Sequence, residues 1–301
     1  MNALLFLISC SQPEPAVPGQ ALREGPLAVR SASFPVSYLV DRLGGEGAEN
    51  RCILPPGEDA QEWSPSPDEI AGLADADLIV ANGAGFEGWI KTASLPDEKL
   101  VFAAQGIRLI EQEGRTHSHG KKGEHSHGEI DPRTWTDPKA YLQQARNVKE
   151  ALVRNDSANR AYYHDRLAAL ESELDALGQE LAGAAAPLKG LPLASSNPAF
   201  SYLARRYGLE VRAFSFDPEL PPPGVQLAAF QSWSQDKGEV AMLWDQKPSA
   251  AVKASFPKEI RHVYLDPLEK PASGAYDYLV QARANIPRLV SIHSKDPDAA
   301  Q

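Results

Sequence analysis

"DSANRAYYHDRLAALESELDALGQELAG", residues 156–183, decides the fold. Apolar side chains recur at Tyr163, Leu167, Leu170, Leu174, Leu177 and Leu181 in steps of four and three. That spacing draws one apolar stripe along a helix, with charged residues opposite. A rise of ~1.5 Å per residue makes the helix a strut about 35–40 Å long. Asp156 or Ser157 offers an N-cap, and the glycine and alanines after Leu181 an end. A coiled-coil dimer would use such a stripe too, but a single short stripe flanked by two folded halves is expected to pack within its own chain.

Outward from the strut, both halves alternate short apolar runs with helical spacing. The first half has runs at 27–34, 51–57, 77–83 and 100–106, separated by "PVSYLVDRLGG", "SPDEIAGLADA" and "GFEGWIKTA". The second has runs at 191–197, 209–215, 239–245 and 260–266. Such alternation implies parallel sheets with helices on their faces. The expected fold class is therefore α/β, with lobes at 26–155 and 184–301 joined by one long linking helix at 156–183.

At 301 residues and 43% hydrophobic, the chain can bury a sizeable core. A net charge of −10 with scattered basic residues argues against nucleic acid as a partner. No apolar run reaches the roughly 18 residues of a membrane-spanning helix. Neither a Gly-rich Lys-Ser/Thr phosphate loop nor a spaced nucleophile and base is present, so an enzyme is not expected.

Open parallel sheets bind ligands beyond the carboxyl ends of their strands. Two such lobes side by side can turn those ends across a cleft. The loops that would line it are "PPGEDAQEWSPSPDEI" (55–70), "GEIDPRTWTDP" (128–138), "SSNPAF" (195–200) and "WDQKPS" (244–249).

These loops, in this order, resemble those of the substrate-binding lipoproteins of ABC importers for zinc and manganese. The resemblance is carried by "DRLGGEG" (41–47), "LPPG-D" followed by "SPSP", "ADLIVANGAGFEGWI" (76–90), "DPRTWTDP" and "PAFSYLARRYGLE" (198–210). "YLDPL" (264–268) and "YDYLVQARANIPRL" (276–289) complete it. The resemblance implies a cleft metal held by three histidines, or by two with a carboxylate, and a further acidic residue. Position by position, the histidines fall on Gln61, Arg133 and Asn197, and the acidic ligand near Asp245.

Arg133 is the decisive departure. At ~4 Å and an effective dielectric of about 20, a dication beside guanidinium meets about 8 kcal/mol of repulsion. Arginine does not escape by deprotonation, because its pKa exceeds about 12. The inherited zinc geometry is therefore expected to be absent. Two roles remain for Arg133: pairing with Asp245, Asp131 or Asp137 to hold the lobes, or forking onto a ligand beside Asn197 and Gln61. The second role suits a small anionic or zwitterionic solute or a metal-chelate. Glu58, Asp59 and Glu62 read as a solvated loop.

His117, His119, His125 and His127 form two His-x-His pairs around "GKKGE". Imidazoles in such a tract suit zinc, copper and nickel, with modest affinity that falls as they protonate near pH ~6.5. The resemblance places a His-rich loop at this position in zinc-type members. The isolated His164, His262 and His293 read as packing or surface residues.

"ALLFLISC" (3–10) resembles the lipobox of bacterial lipoproteins, which implies a signal peptide at 1–10, a lipid on Cys10 and a tether at 11–25. Cys52 then stands alone and is expected as a small buried hydrophobe. The resemblance as a whole implies a monomeric extracytoplasmic solute-binding component of an ABC importer, zinc-type, in the periplasm or on the cell surface. Its partners would be a permease with separate ATPase subunits, and a metal ion or small solute. Only the lipid anchor would touch the membrane. The alternative is a surface metal-buffering or adhesion lipoprotein whose histidine loop does the work.

Overall fold

The computed structural model describes residues 25–112, 129–271 and 275–293; Cys10 and the four loop histidines lie outside the described residues. The first lobe runs β1 (Leu27–Ser31), α1 (Phe34–Gly44), β2 (Ala48–Cys52), α2 (Pro67–Gly72), β3 (Leu78–Ala81) and β4 (Leu100–Phe102). Its four strands are parallel in the order β2-β1-β3-β4. A two-stranded antiparallel pair, β5 (Ile110–Gln112) and β6 (Glu129–Asp131), follows. Then come α3 (Pro138–Asn155) and the linking helix α4 (Arg160–Ala185).

The second lobe runs β7 (Leu193–Ser195), α5 (Ser201–Tyr207), β8 (Val211–Ala213), α6 (Gly224–Ser234), β9 (Ala241–Trp244), α7 (Ala250–Lys253) and β10 (Arg261–Tyr264). Its sheet is again parallel, ordered β10-β9-β7-β8, and α8 (Tyr278–Ser291) closes the chain. The central strands β3 and β9 are buried along their whole length while β2 alternates, as expected of a sheet covered on both faces.

All six stripe residues of α4 are buried, in one core that also contains Leu27 and Leu39 of the first lobe and Leu193 and Leu243 of the second. Each buried leucine contributes roughly 1.5–3 kcal/mol. Neither expected residue caps α4. Asp156 instead accepts from Asn159 Nδ2 (2.7 Å) and the Tyr163 hydroxyl (2.7 Å), a tight turn covers Ser157–Asn159, and the helix begins at Arg160.

The docking of α4 explains "DRLGGEG". Gly45 has φ +49, and a Cβ there would strike Tyr162 and Arg166; at Gly47 it would lie 2.7 Å from the Tyr163 hydroxyl. Only glycine permits that approach. Two expectations shift. The run at 51–57 stops pairing at Cys52, before Pro55 and Pro56, which lack donors. "GFEGWIKTA" makes only a short turn at Gly88–Lys91, because Gly83, Ala84 and Gly85 all take positive φ.

Burial pushes the Cys52 thiol up to about 11, so it is inert at neutral pH. Among the described residues no helix is long and apolar enough to cross a membrane.

His262 of β10 packs in the second lobe's aromatic cluster, edge-on to Phe256, and its Nδ1 accepts a 3.0 Å hydrogen bond from Trp244 Nε1. Burial first, then the charge of Lys253, lowers its pKa from 6.5 to about 4. Between those values the unfolded chain binds the extra proton, so the stabilisation is complete above the unfolded value and is lost as pH falls towards 4. At ~1.4 kcal/mol per unit the loss is about 3 kcal/mol. Urea denaturation from pH 7 to 4 should show it, and His262→Gln, which keeps an acceptor for Trp244, should flatten the slope. An unchanged slope would remove His262 as its cause.

Candidate functional site

The site is built around residues 131–136, where the two lobes meet. Pro132 O accepts from Asn82 Nδ2 (3.0 Å), and Asp131 O accepts from the Tyr202 hydroxyl (2.9 Å). Trp135 Nε1 donates to Pro267 O (2.9 Å), while the Tyr278 hydroxyl donates to Trp135 O (2.7 Å). Asn82 is itself held from below. The buried Glu87 carboxylate accepts from Asn82 N (2.9 Å), Gly83 N (3.1 Å) and the Ser33 hydroxyl (2.8 Å). The "ADLIVANGAGFEGWI" and "YLDPL" segments thus fix the backbone that presents Arg133.

The Arg133 guanidinium reaches across the lobes. Its Nε donates to Glu269 Oε1, and its Nη1 lies 3.7 Å from Asp131 Oδ1, which also accepts from Arg133 N at 3.0 Å. The arginine side chain is only 12% exposed, Glu269 17% and Asp131 0%, so this is a desolvated cluster. Burial alone would lower the arginine pKa, but Glu269 and Asp131 outweigh it and raise it further. Burial raises the Glu269 pKa; Arg133 opposes that rise, and the charges of Asp59 and Asp245 add to it. Asp131 is likewise raised by burial against the pull of Arg133.

The residue that claims Arg133, Glu269, was not among the expected partners. Asp137 is corrected outright: it caps α3 through Lys139 N (2.9 Å) and pairs with Arg206 Nε at 2.7 Å. Asp245 acts on Arg133 only through space. Its own oxygens are held by the Ser196 hydroxyl (2.8 Å) and by Asn197 Nδ2. Asn197 Oδ1 meanwhile accepts from Ala199 N at 2.9 Å, so both ends of that amide are engaged.

Arg133, Asn197 and Asp245 therefore come together, with Glu269 and Asp131 added. Gln61 is exposed, and its backbone N–H donates to Asp59 Oδ1 (2.8 Å), so its loop enters the site electrostatically through Asp59. Glu58 and Glu62 are exposed. His164 is exposed on α4, and His293 Nε2 lies 2.6 Å from Pro187 O. Among the described residues, no three His, Cys, Asp or Glu side chains stand where they could hold a metal ion. A cationic side chain fills the centre, and the flanking amide and carboxylate are already bonded. The donor set does not fit zinc.

The family model of the zinc-uptake complex component A, periplasmic (ZnuA), matches residues 29–292. The chain is 26% identical over 275 residues to the zinc-binding lipoprotein AdcA of Streptococcus pneumoniae serotype 4, covering 88% of this chain and 53% of that protein. It thus spans about half the length of that relative. It is 25% identical over 266 residues to the high-affinity zinc uptake system protein ZnuA of Bacillus subtilis, covering 86% and 83%. The fold matches the Zn(II)-bound ZnuA-like domain of S. pneumoniae AdcA with a TM-score of 0.74 at 21% identity, over 89% of this chain and 99% of that one. With the family model spanning both lobes and the linking helix, this chain belongs to the ZnuA family of zinc-uptake components.

Proposed function

We propose that this protein is the solute-binding component of an ABC importer. It works outside the cytoplasm as a monomer, anchored through Cys10, and delivers to a permease served by separate ATPase subunits. It is not an enzyme. Family membership supports the transport role, and relatives are named as zinc-binding and zinc-uptake proteins. We further propose that Gln61, Arg133, Asn197 and Asp245 form a cleft that does not take zinc. Zinc capture then falls to His117, His119, His125 and His127, with modest and proton-sensitive affinity.

One observation carries the cleft reading: the Arg133 guanidinium stands between the lobes, bonded to Glu269 and facing Asp131. The same contacts count against a free anionic solute, because three carboxylates already act on the one guanidinium.

Calorimetric zinc titration of the chain with and without residues 115–128 tests this reading. Weak binding that disappears with the segment is the expected result. A tight site that survives its removal would overturn the proposal.

A further inference from the structure

Arg133 can be regarded as an occupant as well as a residue. Glu269 of the second lobe accepts from its Nε, Asp131 of the first lies 3.7 Å from its Nη1, and Asp245 adds its charge from beyond. These side chains come from separate segments: the end of β6, the loop after β9 and the loop after β10. Asp131 is fully buried: its Oδ1 faces the guanidinium at 3.7 Å, its Oδ2 accepts no hydrogen bond of normal length, and the Ser201 side chain also acts on its carboxylate.

We propose that these carboxylates form an organic-cation subsite between the lobes, which recognises a guanidinium or ammonium group and which Arg133 occupies as a tethered ligand. The inference rests on the reading that the cleft is not a zinc site, and it names what the cleft recognises instead.

The geometry selects nitrogen donors over a bare metal. A metal ion needs several oxygens at about 2.0–2.6 Å at once, whereas a guanidinium plane spreads its donors to acceptors on different sides. Among the described residues no such metal-ligating cluster exists. An anion is disfavoured by the carboxylate surplus. Recognition is therefore by charge-assisted hydrogen bonds, and a dissolved cation enters only by taking the place of the Arg133 head group.

Chemical rescue tests this directly. Arg133→Ala is expected to exchange the backbone amides of Asp131, Thr134, Leu268, Glu269 and Lys270 about tenfold faster than wild type. Millimolar methylguanidinium should slow that exchange again, should do nothing to wild type, and should fail in Arg133→Ala/Glu269→Gln.

If Arg133→Ala does not respond to methylguanidinium, the subsite is disproved. Protection by acetate, or tight binding of Mn²⁺ at these residues, would equally overturn it by showing an anion or metal place. Should Arg133→Ala not fold, the Arg133 Nε proton of the wild-type chain gives a second measurement. Its exchange should be about tenfold slower than in Glu269→Gln, and indifference to that substitution would sink the proposal. Zinc titration of the loop-deleted chain reports separately on the reading beneath it.

Discussion

A chain lacking residues 115–128 and carrying Gln61→His, Arg133→His and Asn197→His is expected to bind zinc with a sub-micromolar Kd, where the same chain without the three changes binds none tightly. Replacing Arg133 removes about 8 kcal/mol of repulsion against a dication and supplies an imidazole in its place. The backbone there is already pinned by Asn82, Tyr202 and Tyr278, so the new ligand starts from a fixed position. Asn197→His costs the cap on Ala199, about 1 kcal/mol, and releases Asp245 from its amide partner.

A micromolar site corresponds to about −8 kcal/mol, of the order of the repulsion removed, so the new ligands must carry the affinity beyond it. Isothermal titration measures the gain, and the single variants should each gain far less. A triple variant that stays blind to zinc would mean that Gln61, Arg133 and Asn197 do not face one another as this account requires.

Glu269→Ala should lower folding stability by about 3–5 kcal/mol, the usual cost of leaving a buried charge without its partner. The exposures of 12% and 17% decide that this figure applies in place of the smaller one for surface pairs. Replacing both partners, as in Arg133→Met/Glu269→Leu, should recover part of the loss, because the pair's own charges are gone while the buried Asp131 loses the cation that it faced. Urea denaturation of Arg133→Met, Glu269→Leu and the double variant gives the coupling. Additive losses would show that the pair does not act as a unit.

The scaffold was legible because it is periodic. The α4 stripe repeats every three or four residues, and the parallel sheets announce themselves as short apolar runs between helices. "DRLGGEG" was visible as a motif, but its cause, the approach of Tyr162 and Tyr163, needed the packed structure. The β5–β6 pair escaped because each strand has three residues and the histidine tract interrupts them.

Glu269 escaped for a different reason: it lies in a loop without periodicity, 136 residues from Arg133. A signal did exist. The segments "DPRTWTDP" and "YLDPL" meet through Trp135 and Pro267, and Glu269 follows the second directly. A buried arginine requires a carboxylate, and the acid next to a facing motif was the candidate to weigh.

Anomalous diffraction at the zinc edge, from crystals of the wild-type chain soaked in zinc, tests the central claim most directly. The expected result is no zinc peak between Glu269, Asp131 and Asp245, with the Arg133 guanidinium in density on Glu269. A peak bonded to those carboxylates, with the arginine swung away, would contradict it.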